Sequence, residues 1–208
     1  MSETLHSHQI LDLGIASRTL PGQAISGDLH LVVPCGDGVL AAVVDGVGHG
    51  AEAHEAAQQA VDLLAKHANE SIIGLMQQCH AALRATRGAV MTLVRFNSRE
   101  STITTLGIGN VETILLRAHP AASPPRETVL LRGGVVGYQL PSLHASIFPI
   151  HRGDLVVFAT DGVRPGFADH GNFPESPQSL AERMLEQNFR GTDDALVLAI
   201  RYLGRSRG

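Results

Sequence analysis

Two kinds of apolar spacing alternate along the chain. Short runs rich in Val, Ile and Leu occupy Ile10 to Leu20, Asp28 to Val33, Val39 to Val44, Ala89 to Phe96, Ser101 to Ile108, Val111 to Arg117, Thr128 to Leu131, Ala145 to Ile150, Asp154 to Thr160 and Ala195 to Tyr202. Their length and composition predict strands. In Ala89 to Phe96 the alternation puts Val90, Thr92, Val94 and Phe96 on one face and Met91, Leu93 and Arg95 on the other. Turn signals at Cys35-Gly36-Asp37-Gly38, Asn97-Ser98-Arg99-Glu100 and Gly109-Asn110 separate neighbouring runs. The first three strands are expected to form an antiparallel meander.

Helical spacing appears in three places. From Gly50 to His67 it runs through Ala53, Ala57, Ala60, Val61, Leu64 and Ala65. After a break at Asn69-Glu70-Ser71, Ser71 caps a second helix reaching about Arg84 through Ile72, Leu75, Met76, Cys79 and Leu83. A third, Ser179 to Phe189, carries Leu180, Met184 and Leu185 and ends before Gly191. Pro- and Gly-rich stretches at His119 to Arg126 and Pro165 to Pro177 read as loops, Gly133-Gly134 and Gly137 as a flexible connection, and Arg205 to Gly208 as a mobile tail. Hairpin-linked strands interrupted by two helices, then a helix and a final strand, define an α+β protein with antiparallel sheets. No repeat or linker divides it, so residues 1–208 are expected to be a single domain.

The strand ends hold the candidate chemistry. The apolar block Leu40 to Val44 stops at Asp45-Gly46, and Gly48, His49 and Gly50 follow before the first helix. Phe158-Ala159-Thr160 stops at Asp161-Gly162, Asp193-Asp194 opens the last strand, and Ser26-Gly27-Asp28 opens an earlier one. Asp-Gly by itself is a common turn pair. Its repetition at strand tips offers several carboxylates, with glycines that let backbone carbonyls approach a ligand. Unpaired carboxylates brought together repel, and a divalent cation removes that cost. An all-oxygen set favours Mg²⁺ or Mn²⁺ over Zn²⁺. Two such ions roughly 3.5–4 Å apart can hold a bridging water and lower its pKa for in-line attack on phosphorus.

Composition narrows the alternatives. Aromatic content is 4% with no Trp, so the core must be mainly aliphatic. The net charge of -4 and the lack of a basic stripe speak against nucleic acid. Cys35 and Cys79 form no framework and indicate a reduced, cytoplasmic protein. No run has the length of a membrane span, and the first residues lack the pattern of a signal peptide. The histidines are scattered without paired ligand spacing, and only His49 lies within a candidate motif.

Taken in order, Ser26-Gly27-Asp28, Asp45-Gly46-Val47-Gly48-His49-Gly50, Asp161-Gly162 and Asp193-Asp194 resemble the motifs of PPM-type metal-dependent serine/threonine protein phosphatases. The likeness is to the SpoIIE/RsbX branch and spans about residues 10 to 203. Gly109-Asn110-Val111-Glu112 and Gly137-Tyr138 also resemble its middle region. The resemblance implies an α-β-β-α sandwich of two mainly antiparallel sheets. It implies two Mn²⁺ or Mg²⁺ ions held by Asp28, Asp45, the Gly46 carbonyl, Asp161 and Asp193. Asp45 would bridge the ions, and Asp194 would be either a ligand or a group orienting Asp193. The implied substrate is a phosphoserine or phosphothreonine on a STAS-domain partner in bacterial stress signalling. Val47 stands where many eukaryotic members carry a general-acid histidine; His49, two residues on, is a candidate substitute, and Arg18 a candidate phosphate ligand.

Two other classes fit parts of the sequence. A non-catalytic phosphoprotein-binding module would share the fold. A phosphohydrolase using Asp161 as a covalent nucleophile would want a second aspartate two residues on, where Val163 stands.

Overall fold

The structure is a computed structural model that describes residues 10–168 and 173–204. The expected tail Arg205 to Gly208, and residues 169–172 of the expected loop Pro165 to Pro177, lie outside the described residues. The strands are β1 (Leu11–Arg18), β2 (Asp28–Cys35), β3 (Gly38–Gly46), β4 (Ala89–Asn97), β5 (Thr102–Ile108), β6 (Glu112–Leu116), β7 (Arg126–Thr128), β8 (Leu131–Arg132), β9 (Ser146–Pro149), β10 (Leu155–Ala159) and β11 (Ala195–Tyr202). The helices are α1 (Ala51–Lys66), α2 (Ile72–Ala82) and α3 (Pro177–Asn188), with a 3-10 turn at Leu83–Ala85.

One sheet has the order β1-β11-β10-β6-β7; the other runs β2-β3-β4-β5-β8, with β9 also paired to β5. Among the described residues only the short β5–β8 pairing is parallel. Alternation along the strands builds three apolar layers. Val39, Ala41 and Val43 of β3 face Val156, Phe158, Leu198 and Ile200 between the sheets. Leu40, Ala42 and Val44 face the other way, against Ala57, Leu64, Leu75 and Met76 of α1 and α2. On the far side, Val157, Val197 and Ala199 pack on Leu180, Ala181 and Met184 of α3. The expected α-β-β-α sandwich is therefore present.

The meander expectation fails at the first strand. β2 and β3 pair as expected, but β1 pairs antiparallel with β11, Leu11 opposite Tyr202 through Arg18 opposite Ala195. The reason lies at Gly14, where a Cβ would meet the Pro177 and Gln178 backbones at 2.1 Å. The missing side chain lets α3 settle directly on β1. Gln178 then donates its amide to the Ile15 carbonyl (2.9 Å) and accepts from the Ile15 N–H (3.0 Å).

Smaller differences have local causes. The helix expected from Ser179 starts at Pro177, whose fixed φ suits the first turn and whose missing N–H costs nothing there; Ser176 caps it through the Ser179 N–H. The strand expected over Thr128 to Leu131 divides. Thr128 ends β7 in one sheet and Leu131 starts β8 in the other. Ser71 caps α2 by accepting from the Gly74 N–H, as expected.

Candidate metal centre

Four chain segments carry aspartates to one end of the sandwich. Asp28 opens β2 and Asp45 lies near the end of β3, and the two are paired across the ladder. Asp161 follows the end of β10, and Asp193-Asp194 precedes the start of the antiparallel β11. Thr160 ties the two sheets together here: its hydroxyl donates to Asp28 Oδ2 (2.7 Å) and accepts from the Leu196 N–H (2.8 Å).

Each Asp-Gly pair needs its glycine for a close approach. A Cβ on Gly46 would lie 1.9 Å from the Ala53 carbonyl oxygen, in the first turns of α1. A Cβ on Gly162 would lie 2.0 Å from the Asp194 carbonyl oxygen. The glycine lets the turn after each strand sit against neighbouring backbone, which fixes the aspartate before it. Gly162→Ala is expected to cost about 1–3 kcal/mol of stability, as overpacking does. A denaturant titration reads this as a lower midpoint, and an unchanged midpoint would show that the turn has room.

The remaining contacts orient individual carboxylates. Asn110 donates its side-chain amide to Asp161 Oδ2 (2.7 Å). The Asp194 backbone N–H donates to Asp193 Oδ1 (2.8 Å). Asp194 itself is buried, and its two carboxylate oxygens accept from the Leu20 and Gly27 N–H groups, both at 2.7 Å. It holds the crossing between β1 and β2, and so the approach to Asp28. The Gly46 N–H bonds to the Gly27 carbonyl (3.1 Å), joining the two glycine turns.

The aspartates act strongly on one another. Burial, then the charges of Asp28, Asp161, Asp193 and Asp194, push the Asp45 carboxyl up to about 9. Burial raises Asp28 to about 7 despite the Thr160 hydrogen bond, with Asp194, Asp161 and Asp193 adding to the rise. Asp161 is raised by burial and by Asp193, against the opposing effects of Arg190 and Asn110. Among the described residues, no three His, Cys, Asp or Glu side chains form a ready-made metal cage. A hexahydrate-loving ion such as Mg²⁺ does not need one, since it keeps several waters and takes only one or two protein carboxylates. Carboxylates held at a neutralising cost, beside a backbone carbonyl at Gly46, fit a hard divalent cation.

The other sequence candidates stand at the rim. His49 is exposed in the glycine loop and has no hydrogen-bond partner among the described residues. Val47 is 38% exposed beside it. Arg18 is exposed, and its guanidinium lies 5.4 Å from the centre of the Phe189 ring. Three helpers escaped the sequence reading. Thr160 was legible only as a strand end, and Asn110 only as part of a turn pair and of the Gly109-Asn110-Val111-Glu112 stretch, with no role attached. Arg87 lies against Gly48, 2.8 Å from where a Cβ would stand, and pairs with Glu52 of α1. A polar residue closing an apolar strand is the one signal that could have pointed to Thr160.

Two face-to-face antiparallel sheets clad by helices, with aspartates from both sheets meeting at one end, make this a PPM-type (PP2C-like) phosphatase fold. The chain belongs to the family of Stage II sporulation protein E (SpoIIE), which matches residues 36–203. It is similar to phosphoserine phosphatase RsbX of Bacillus subtilis (strain 168), 24% identical over 175 residues, covering 83% of this chain and 85% of that protein. The crystal structure of RsbX in complex with magnesium superposes with a TM-score of 0.83 at 20% identity, over 93% of this chain and 96% of that one. A chain from work on the bacterial stressosome, described as a modular system adapted to control secondary messenger signaling, matches with a TM-score of 0.83 at 29% identity, over 92% of this chain and 99% of that one. Among the described residues no helix is long and apolar enough to cross a membrane.

Proposed function

We propose that the chain is one Mn²⁺- or Mg²⁺-dependent phosphatase domain that hydrolyses phosphoserine or phosphothreonine on a signalling protein in the cytoplasm. A STAS-domain component of a stressosome-like assembly is the partner class that its likeness to RsbX and to a stressosome chain supports. The observation that carries the reading is the gathering of Asp28, Asp45, Asp161 and Asp193 at one end, with Asp45 and Asp28 held far above the usual carboxylate range by burial and mutual repulsion.

In this reading Asp45, the Gly46 carbonyl, Asp28, Asp161 and Asp193 would hold the divalent ions, with Asp45 as the shared ligand. When bound, the ions supply an activated water and positive charge opposite the phosphoryl oxygens. The chain's own part is positional. Thr160 holds Asp28, Asn110 holds Asp161, and the Asp194 N–H holds Asp193. Asp194 is read as a strut, because it is buried and a backbone donor holds each of its oxygens. No side chain is placed as a nucleophile, and none is required. His49 receives no role, since nothing orients its ring toward the aspartates.

The test is release of phosphate from a serine-phosphorylated STAS-domain protein. Turnover is expected with Mn²⁺ or Mg²⁺ and is expected to vanish in excess chelator. Equal turnover in chelator would remove the metal mechanism. Binding of the phosphoprotein without turnover at saturating Mn²⁺ would favour the non-catalytic module instead.

A further inference from the structure

Next to Asp161, the rim carries positive charge that the carboxylates do not use up. Val163 pairs with Phe189 in an isolated antiparallel bridge. On either side of it, the Arg190 N–H donates to the Gly162 carbonyl and the Arg164 N–H to the Asn188 carbonyl, both at 2.9 Å. Val163 is buried, so alternation along the bridge turns the flanking Arg164 outward. Both Arg164 and Arg190 are exposed.

Among the described residues Arg84, Arg132 and Arg152, like these two, lack an ion pair or side-chain hydrogen bond; what sets Arg164 and Arg190 apart is their place on the bridge that starts at Gly162, directly after Asp161. Arg87 pairs with Glu52, Arg117 with Asp154 and Glu127, and Arg183 with Glu175. Arg95 and Arg201 donate to backbone carbonyls, and Arg18 lies on the Phe189 ring. Among the described residues, the guanidinium groups of Arg164 and Arg190 make neither an ion pair nor a hydrogen bond. Arg190 is also near enough to Asp161 to oppose the rise in its carboxyl.

We propose that Arg164 and Arg190 form a docking rim for acidic residues flanking the phosphorylated serine or threonine of the protein substrate. The inference rests on the phosphatase reading above. Because Arg190 sits opposite Gly162, directly after Asp161, a substrate chain leaving the aspartates on this side meets Arg190 first and Arg164 next. Carboxylates at those substrate positions would pair with two exposed guanidinium groups that make no ion pair or hydrogen bond among the described residues. The pairs are exposed, so the gain is modest and salt-sensitive. It selects among phosphoproteins; the chemistry at phosphorus does not depend on it.

Two phosphoserine peptides with the same central residue, one with Asp and Glu flanks and one with Asn and Gln flanks, separate the possibilities. With the full chain and Mn²⁺, the acidic peptide is expected to have a kcat/KM higher by about three- to tenfold at low salt, the scale of two exposed ion pairs. The preference should shrink at high salt, fall below about twofold in the Arg164→Gln/Arg190→Gln double variant, and return in Arg164→Lys/Arg190→Lys, which restores the charge. Equal rates on the two peptides, or a preference that survives in the double Gln variant, would overturn the rim while leaving the phosphatase reading intact. Turnover of neither peptide, with no phosphate released from the serine-phosphorylated STAS-domain protein either, would sink the phosphatase reading. In that event fluorescence anisotropy with the same peptides decides the rim: tighter binding of the acidic peptide by the native chain alone supports it, and equal binding overturns it.

Discussion

Asp45→Asn is expected to lower turnover of a phosphoprotein by roughly 10³-fold, the upper range for removing one preorganised electrostatic contact, while raising the melting temperature of the metal-free chain. The two effects have one source. Asp45 faces Asp28 across the β2–β3 ladder and feels the charges of Asp161, Asp193 and Asp194. Asparagine keeps the shape and is neutral without the proton that folding forces onto Asp45 at neutral pH, so the cost of that protonation disappears. It also removes the carboxylate that would be shared by the ions in the proposed site. A gain on the order of 2 kcal/mol follows from removing a carboxyl that must be neutralised on folding. For a chain of this size that corresponds to about 4–8 °C. Calorimetry in chelator and a phosphate-release assay in Mn²⁺ read the two halves separately. A variant that is both inactive and less stable would mean that Asp45 serves the fold rather than a cation.

The second large effect is a pH-dependent response to metal. Asp28 and Asp45 are raised from 3.8 to about 7 and about 9 in the folded chain. The folded state therefore holds more protons than the unfolded one between these values, and the sign of the linkage is negative. The stability these groups contribute is complete below about pH 4, and it is lost as pH rises through about 7 for Asp28 and about 9 for Asp45. The metal-free chain should melt lower at pH 8.5 than at pH 6, to about that extent. Divalent ions compete with those protons, so Mn²⁺ should stabilise more at the higher pH. At a hundredfold excess over the dissociation constant the gain is about 2.7 kcal/mol, or about 5–10 °C here. Asp45→Asn should flatten both trends. Differential scanning fluorimetry across pH, with and without Mn²⁺, checks this, and an Mn²⁺ shift of equal size at both pH values would contradict it.

Local chemistry was readable in the sequence, and long-range pairing was not. The Asp-Gly steps marked both the strand tips and the carboxylates because one physical need, a turn pressed against backbone, produces the glycine beside each aspartate. Helices α1 and α2 followed from alanine and leucine spacing and the Ser71 cap. By contrast, nothing near Leu11 to Arg18 announces a partner strand at Ala195 to Tyr202. Hairpin reasoning extends only to the next strand, so it assigned β1 to the wrong neighbour. The roles of Asp193 and Asp194 were ambiguous for the same reason. Their difference lies in which backbone donors reach them, and Leu20 and Gly27 are far away in the chain. The acidic motifs could be aligned without that knowledge, whereas Thr160 and Asn110 could be found only after the sheets had closed.

The amide of Gln178 has a consequence for how copies of this chain meet. In engaging both polar groups of Ile15, it fills the position that a strand from another molecule would need in order to extend the sheet beyond β1. An outermost strand with that rung already taken gives a neighbour no unbroken ladder to zip onto, so the protein can be crowded together without templating fibrous growth from this border.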